Sequence, residues 1–204
     1  MKYSDEYLTI TSTATGSYKE KGSKFIAYAC PVNGIEQINN VITRLKKEHH
    51  DARHYCYAYV LGYDKKEYRV NDDGEPSNTA GKPILGQINA RELTNVIVII
   101  IRYFGGTLLG KGGLIRAYKQ AAANALQNAS IIKMVQKEKY QICFDLKAVN
   151  NVMKIIGESK LEVISQKFEQ LSEVNIAIRK NAASAIINKF RMIDGIKVKY
   201  LGLI

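Results

Sequence analysis

The chain has 204 residues, of which 46% are apolar and 24% are charged, and it carries a formal net charge of +11 with a sequence pI near 9.5. This composition excludes an intrinsically disordered chain, and no window reaches the roughly 18 consecutive apolar residues that a membrane-spanning helix needs. The positive charge is divided between both halves of the chain. Such an excess attracts nucleic acid, anionic membrane surfaces or acidic proteins.

The first residues and the cysteines indicate a compartment. The opening segment, MKYSDEYLTI, has acidic side chains where a secretory signal would place its apolar core. Cys30, Cys56 and Cys143 are odd in number and share no short spacing, which favours reduced thiols over a disulfide framework or a zinc site. We therefore expect a cytoplasmic protein without membrane segment, metal or cofactor, for which a monomeric state is compatible with the sequence.

Apolar periodicity in the first part of the chain predicts a mixture of strands and helices. Strands are expected at Tyr7–Ala14, Lys24–Cys30, His54–Leu61, Glu67–Asn71 and Val96–Ile101. Helices are expected around Ile35–Leu45, over Thr79–Ala90 and from about Gly113 onward. The β-branched run in the Val96–Ile101 strand is typical of a strand that is covered on both faces.

The second part of the chain repeats one strand–helix unit twice. A change in composition at Ile131–Val135 predicts a basic connector, so we place the domain boundary after residue 134. The later pattern is the βαββαβ arrangement of a ferredoxin-like domain. The predicted fold class is therefore α+β with two domains, at residues 1–134 and 135–204, and separation at the connector should give two independently folded pieces.

The most informative segment, TNVIVIIIRYFGGTLLGKGGLIRAY, joins a buried strand to a helix through a glycine-rich turn. Helix N-termini with nearby cations bind anions, and Arg102, Lys111 and Arg116 lie in or beside this turn. Gly105, Gly110 and Lys111 satisfy the first seven positions of the nucleotide-binding pattern G-x-x-x-x-G-K-[ST]. Gly112 replaces the hydroxyl residue that would hold magnesium, so hydrolysis is not expected. Two interpretations of the turn remain open. It is an anion site without hydrolysis, or its glycines are needed only for close packing. The glycines concerned are Gly105, Gly106, Gly110, Gly112 and Gly113.

A second polar cluster follows in HHDARHYCYAYV and NDDGEPSNTAGKP. His54 and Cys56 lie on one strand face, and we interpret them as a half-buried histidine beside a core cysteine rather than as a catalytic pair or a metal site. Arg53 is a candidate phosphate or carboxylate fork. The acidic loop of Asp72, Asp73 and Glu75 does not have calcium-loop spacing. Its carboxylates are therefore expected to accept backbone N–H groups or to pair with Arg53 and Arg102. A further anion contact is expected where the next helix begins, at Thr79, Gly81 and Lys82.

Three blocks of this sequence resemble the motifs of the IMPACT family, in particular its bacterial YigZ-type members. They are DARHYCYAYV at 51–60, NDDGEPSNTAGKPIL at 71–85 and VIIIRYFGGTLLGKGGLIRAY at 98–118. The resemblance implies an N-terminal Impact domain with the fold of a ribosomal small-subunit protein domain and of the fourth domain of elongation factor G. It implies a ferredoxin-like C-terminal domain similar to the fifth domain of that factor. Eukaryotic relatives regulate translation, but through an additional domain that this chain does not match.

These observations favour a non-enzymatic protein that binds RNA or the ribosome in the regulation of translation. Tyr103 or Phe104 would stack on an unpaired base, and strand alternation predicts that only one of them faces solvent. Phosphates would be contacted by the cations and glycines of the site, namely Arg53, Lys82, Arg102, Gly105, Gly106, Gly110, Lys111, Gly112, Gly113 and Arg116. One alternative is a phosphate-ligand enzyme or sensor that uses the Gly105–Gly113 turn, with Asp72 or Asp73 as a base or a metal ligand. Another is a regulator that binds an acidic protein partner.

Overall fold

The structure is a computed structural model that describes residues 5–204. It has a two-domain α+β fold in which Tyr7–Met134 form one compact unit, and Asp5 and Glu6 join Val135–Ile204 in the other. No helix in the described part is long and apolar enough to cross a membrane.

The N-terminal unit is built on a five-stranded antiparallel sheet in the order β2-β3-β6-β4-β5. A separate two-stranded sheet pairs β1 with β7. The elements are β1 (Glu6–Ile10), β2 (Ala14–Glu20), β3 (Ser23–Pro31), α1 (Ile35–Glu48), β4 (His54–Leu61), β5 (Glu67–Asn71), α2 (Gly81–Ala90), β6 (Val96–Tyr103), α3 (Gly110–Gln127) and β7 (Ile131–Val135).

Strand β6 lies at the centre of this unit and is buried on both faces. Val96, Val98 and Ile100 pack in a core with α2 and α3. The residues between them, such as Ile97 and Ile99, pack in a second core with α1. Both faces of this central strand therefore need apolar side chains, which explains the uninterrupted β-branched run in the sequence.

Two elements differ from the sequence-based predictions. The single strand expected at Tyr7–Ala14 is divided, because β1 ends at Ile10 and β2 begins at Ala14. The connector expected at Ile131–Val135 is the strand β7, which pairs with β1. Its apolar and β-branched residues are well suited to a strand, although several of them are exposed.

The C-terminal unit has the βαββαβ order of a ferredoxin-like domain, with a four-stranded antiparallel sheet in the order β11-β8-β10-β9. Its core brings side chains of α4 and α5 against one face of the sheet, including Phe144, Val152, Ile176 and Phe190. The elements are β8 (Lys137–Asp145), a short 3-10 helix (Leu146–Ala148), α4 (Val149–Glu158), β9 (Glu162–Lys167), β10 (Leu171–Arg179), α5 (Lys180–Arg191) and β11 (Lys197–Leu203).

Asp5 belongs to the C-terminal unit, which differs from a division that places residues 1–134 together. Its buried carboxylate accepts hydrogen bonds from the Arg179 guanidinium, with Nη2···Oδ1 2.8 Å, and from the Asn181 backbone N–H at the start of α5. These hydrogen bonds from Arg179, more than the one from Asn181, hold the pKa of Asp5 below its usual value of 3.8. The residue therefore acts as an anionic cap of α5.

Candidate nucleic-acid interface

The candidate site lies along one edge of the five-stranded sheet. His54 at the start of β4 pairs with Arg102 at the end of β6, and Tyr57 pairs with Asn71 at the end of β5. The segments that continue from these strand ends therefore lie at the same edge of the sheet. We call residues 51–53, 72–82 and 104–116 the loop edge; it brings together the predicted Arg53, acidic loop and glycine-rich turn.

Asp72 caps the helix that follows the acidic loop. Its Oδ1 accepts hydrogen bonds from the backbone N–H groups of Ala80 and Gly81 at 2.9 and 2.8 Å, and its Oδ2 accepts one from Asn78 at 2.8 Å. The N-terminus of α2 therefore already holds an anion, which is a side chain of the protein itself. This differs from the anion contact expected at Thr79, Gly81 and Lys82, of which only the exposed Lys82 side chain is available to a ligand.

The other two carboxylates of the acidic loop are also engaged within the unit. The Asp73 carboxylate accepts a hydrogen bond from the Tyr55 backbone N–H at 2.7 Å. Glu75 is buried, and its Oε1 accepts hydrogen bonds from Arg102 Nη1 and from the Tyr118 hydroxyl, each at 2.7 Å. Within residues 5–204 there is no group of three or more His, Cys, Asp or Glu side chains suited to a metal ion.

Of the two roles expected for Arg102, an anion contact and a partner of the acidic loop, the structure shows the second. Only 6% of its side chain is exposed, and its guanidinium forms a buried ion pair with Glu75 and lies 5.6 Å from the ring centroids of both Phe25 and Phe104. It is therefore not a surface contact for phosphate. Strand alternation offered the signal, because residue 102 shares the α3-facing side of β6 with Val98 and Ile100.

The two aromatic residues after Arg102 take different environments. Tyr103 is half-buried, and its hydroxyl lies 2.9 Å from His49 Nδ1 and donates to Asp51 Oδ1 at 3.1 Å. Phe104 is 51% exposed at the start of the turn. Phe104 is therefore the aromatic ring that a ligand can reach at this edge.

Three glycines of the turn, Gly105, Gly106 and Gly110, have structural reasons to be glycine. A Cβ on Gly105 would lie 1.9 Å from the carbonyl carbon of Gly22, so this residue permits close packing against the β2–β3 turn. Gly106 and Gly110 have φ values of +84° and +67°, which glycine adopts without strain. Gly112 and Gly113 lie in the first turn of α3, which begins at Gly110, earlier than predicted, and has no side-chain cap.

Exposed charge at the loop edge is mainly positive. Arg53, Lys82, Lys111 and Arg116 are exposed, as is the carboxylate of Asp51. Glu75 is buried against Arg102, whereas the other two carboxylates of the acidic loop are half-buried and accept hydrogen bonds from backbone N–H groups. Arg116 lies 3.6 Å from Glu20, but its side chain remains 70% exposed. Four exposed cations therefore lie beside one exposed carboxylate at the loop edge.

A buried polar network below this surface was not predicted from the sequence. The Cys56 thiol donates to the Asp72 carbonyl oxygen at 2.9 Å, and its sulfur lies 3.3 Å from the Tyr118 hydroxyl oxygen. His54 Nδ1 lies 2.8 Å from the Asp73 carbonyl oxygen. Burial raises the pKa values of the Cys56 thiol and of the Tyr118 hydroxyl. The raised pKa favours the protonated thiol, which donates a hydrogen bond and is a poor nucleophile.

Comparison with known proteins gives the family. The Impact N-terminal domain family matches residues 21–126, which include the whole loop edge. The chain belongs to the IMPACT family. An IMPACT family member of Haemophilus influenzae is 32% identical over 88% of this chain and 88% of its own length. The member YigZ of Escherichia coli is 29% identical over 78% of each.

A solved structure extends this IMPACT family likeness to both units. A crystal structure described as that of a hypothetical protein is similar with a TM-score of 0.71 and 26% identity, and the match covers 97% of each chain. The ferredoxin-like unit, which lies outside the matched Impact N-terminal domain, is therefore shared with that protein.

Proposed function

We propose that this IMPACT family protein binds RNA or the ribosome through the loop edge and acts in the regulation of translation without catalysing a reaction. The observation that carries the proposal is the separation of charge at this edge. Glu75 is buried in an ion pair, and the other two carboxylates of the acidic loop are half-buried and hydrogen-bonded to backbone N–H groups. By contrast, the cations of Arg53, Lys82, Lys111 and Arg116 are exposed. Membership of the IMPACT family supports a role in the regulation of translation.

The chemistry of the exposed groups suits a single-stranded or looped RNA. Lysine and arginine side chains contact phosphates without reading sequence, and an exposed aromatic ring stacks on an unpaired base. Phe104 offers that ring, and the cation of Lys111 lies in the first turn of the adjoining helix. A ligand held in this way would be recognised mainly by its charge and by one accessible base.

A small-molecule phosphate ligand is the second candidate. The N-terminus of α3 has no side-chain cap, and Gly110, Lys111 and Gly112 are exposed there. Asp72 uses both carboxylate oxygens to cap α2, so a structural role already accounts for it without catalysis. A sensor of a small phosphate would bind with little dependence on polymer length.

The proposal is tested by RNA affinity with a matched pair of variants. The test variant combines Lys82→Gln with Lys111→Gln at the loop edge. The control combines Arg44→Gln with Lys47→Gln, which are exposed on α1 at the opposite face of the sheet and remove the same charge. Fluorescence anisotropy of a labelled single-stranded RNA, measured between about 50 and 200 mM salt, gives the affinity and its salt slope.

We expect the test variant to bind more weakly and to lower the salt slope by about 0.7 for each lost contact with single-stranded RNA, while the control retains both. Equal effects of the two variants would show only a general effect of net charge and would refute the proposal that the loop edge binds the RNA. Displacement of the RNA by inorganic phosphate or a free nucleotide at comparable concentrations would favour the small-ligand candidate.

A further inference from the structure

Within the described residues 5–6 and 135–204 of the C-terminal unit, both α-helices pack against the same face of the sheet. Phe144, Val174 and Ile176 point into the core with α4 and α5, so the residues between them on each strand point to the other face. The strand register aligns these outward residues in rows across the sheet. We call this face, made of Lys139, Gln141, Cys143, Ser165, Lys167, Glu173, Asn175, Lys197 and Lys199, the open face.

Two neighbouring rows of the open face are polar and basic. Lys197, Cys143, Glu173 and Lys167 form one row, and Lys199, Gln141, Asn175 and Ser165 form the next. Lys139 follows Gln141 along β8 on the same face. Glu173 is the acidic residue of these two rows, and it accepts a hydrogen bond from Gln141 Nε2 at 3.0 Å. Asp145 and Glu162 lie on the same face, in the rows on either side. The two central rows together with Lys139 therefore carry four lysines and one carboxylate.

We infer that the open face is a second RNA-binding surface, one that contacts the phosphate backbone without reading bases. Charge complementarity carries the choice of partner, because the face combines cations with amide and hydroxyl groups that hydrogen-bond to phosphate and sugar oxygens. Some RNA-binding domains stack bases on aromatic side chains of a four-stranded sheet. None of the open-face residues defined above is aromatic, so the open face does not offer such stacking. The inference rests on the proposed function but concerns a different unit and different residues.

The test combines two variants with equal loss of charge. Lys139→Gln, Lys197→Gln and Lys199→Gln together remove three cations from the open face. The control combines Lys154→Gln, Lys189→Gln and Arg191→Gln, which are exposed on α4 and α5. Both are made in the full chain and compared with the loop-edge variant, using a single-stranded RNA of about 16 nucleotides and the corresponding duplex.

The open-face variant should bind RNA about tenfold more weakly at low salt and lower the salt slope by about two. The control should change the affinity by less than about twofold and leave the salt slope unchanged. Retained affinity and slope in the open-face variant, together with loss in the loop-edge variant, would overturn this inference and leave the proposed function intact. Loss only in the open-face variant would support this inference and refute the loop edge. No binding by the unchanged protein would refute both.

Cys143 gives a second measurement that needs no change in charge. It is half-exposed on the open face, whereas Cys30 and Cys56 are buried. The rate of Cys143 alkylation by iodoacetamide should fall at least about threefold when RNA is bound, because the phosphate backbone would cover the row of residues to which Cys143 belongs. Protection by polyglutamate but not by RNA would instead assign the face to an acidic protein, and an unchanged rate with bound RNA would contradict the inference.

Discussion

Removal of the buried negative charge of Glu75 should strongly destabilise the N-terminal unit. In Glu75→Gln the shape of the side chain is kept, but the Arg102 guanidinium, which is 6% exposed and 2.7 Å from Glu75 Oε1, loses its counter-charge. Loss of one member of a buried ion pair costs about 3–5 kcal/mol, because the remaining ion stays desolvated. For a unit of this size the melting temperature should fall on the order of 10–20 °C.

Tyrosine fluorescence during urea unfolding provides the assay. Only Tyr140 and Tyr200 of the 13 tyrosines follow residue 134, so the signal reports mainly on the N-terminal unit. Glu48→Gln is the matched control, because it removes the same charge from an exposed pair with Arg44 and should cost less than about 0.5 kcal/mol. If Glu75→Gln lowered the free energy of unfolding by less than about 1 kcal/mol, the view that the Glu75–Arg102 pair is desolvated and essential to the stability of the N-terminal unit would be refuted.

Three further outcomes are expected. In urea unfolding, Gly105→Ala should lower the free energy of unfolding by more than about 2 kcal/mol, because the added Cβ would lie 1.9 Å from a backbone atom of Gly22. Gly112→Ala should leave the free energy of unfolding unchanged or raise it by up to about 1 kcal/mol. Equal effects of the two variants would contradict the packing argument. Native protein should react at one thiol per chain with a thiol reagent, at Cys143, and at all three after unfolding; fast reaction of a second thiol would show that a buried cysteine is accessible. Because Arg179 lowers the pKa of Asp5, the stabilisation from this pair should be complete above pH 3.8 and should be lost as the pH falls through the lowered pKa. Asp5→Asn should remove this part of the dependence of the free energy of unfolding on pH. An unchanged dependence in the variant would refute the role of the pair.

Local periodicity was sufficient to predict most of the elements. The β-branched run at Val96–Ile101 predicted a strand covered on both faces, and the second half predicted the βαββαβ order, because both signals depend only on neighbouring residues. The extent of α3 was less accurate, since glycines at Gly110 and Gly112 do not favour a helix by propensity. The strand β7 was missed because its pairing partner, β1, lies more than one hundred residues earlier.

The candidate site shows where sequence reasoning reaches its limit. Arg102 and Lys111 look equivalent in a motif, as two cations beside glycines, yet one is buried against Glu75 and the other is exposed. The difference depends on which face of β6 residue 102 occupies and on a partner 27 residues away in the chain. The Asp72 cap of α2 is a similar case, because a carboxylate followed by a helix start is compatible with both a ligand site and an internal cap.

The contacts of the acidic-loop carboxylates within the unit make the net charge displayed at the loop edge depend on the folded state of that loop. If residues 72–80 opened locally, the buried Glu75 carboxylate would reach solvent and the half-buried Asp72 and Asp73 would become more exposed beside Lys82 and Lys111. The three charges would then repel an approaching polyanion more strongly. A polyanion would then bind only chains in which the loop is closed and would favour that closed population by mass action. Slower amide exchange of residues 78, 80 and 81 in the presence of a polyanion would therefore report binding at a distance from any direct contact.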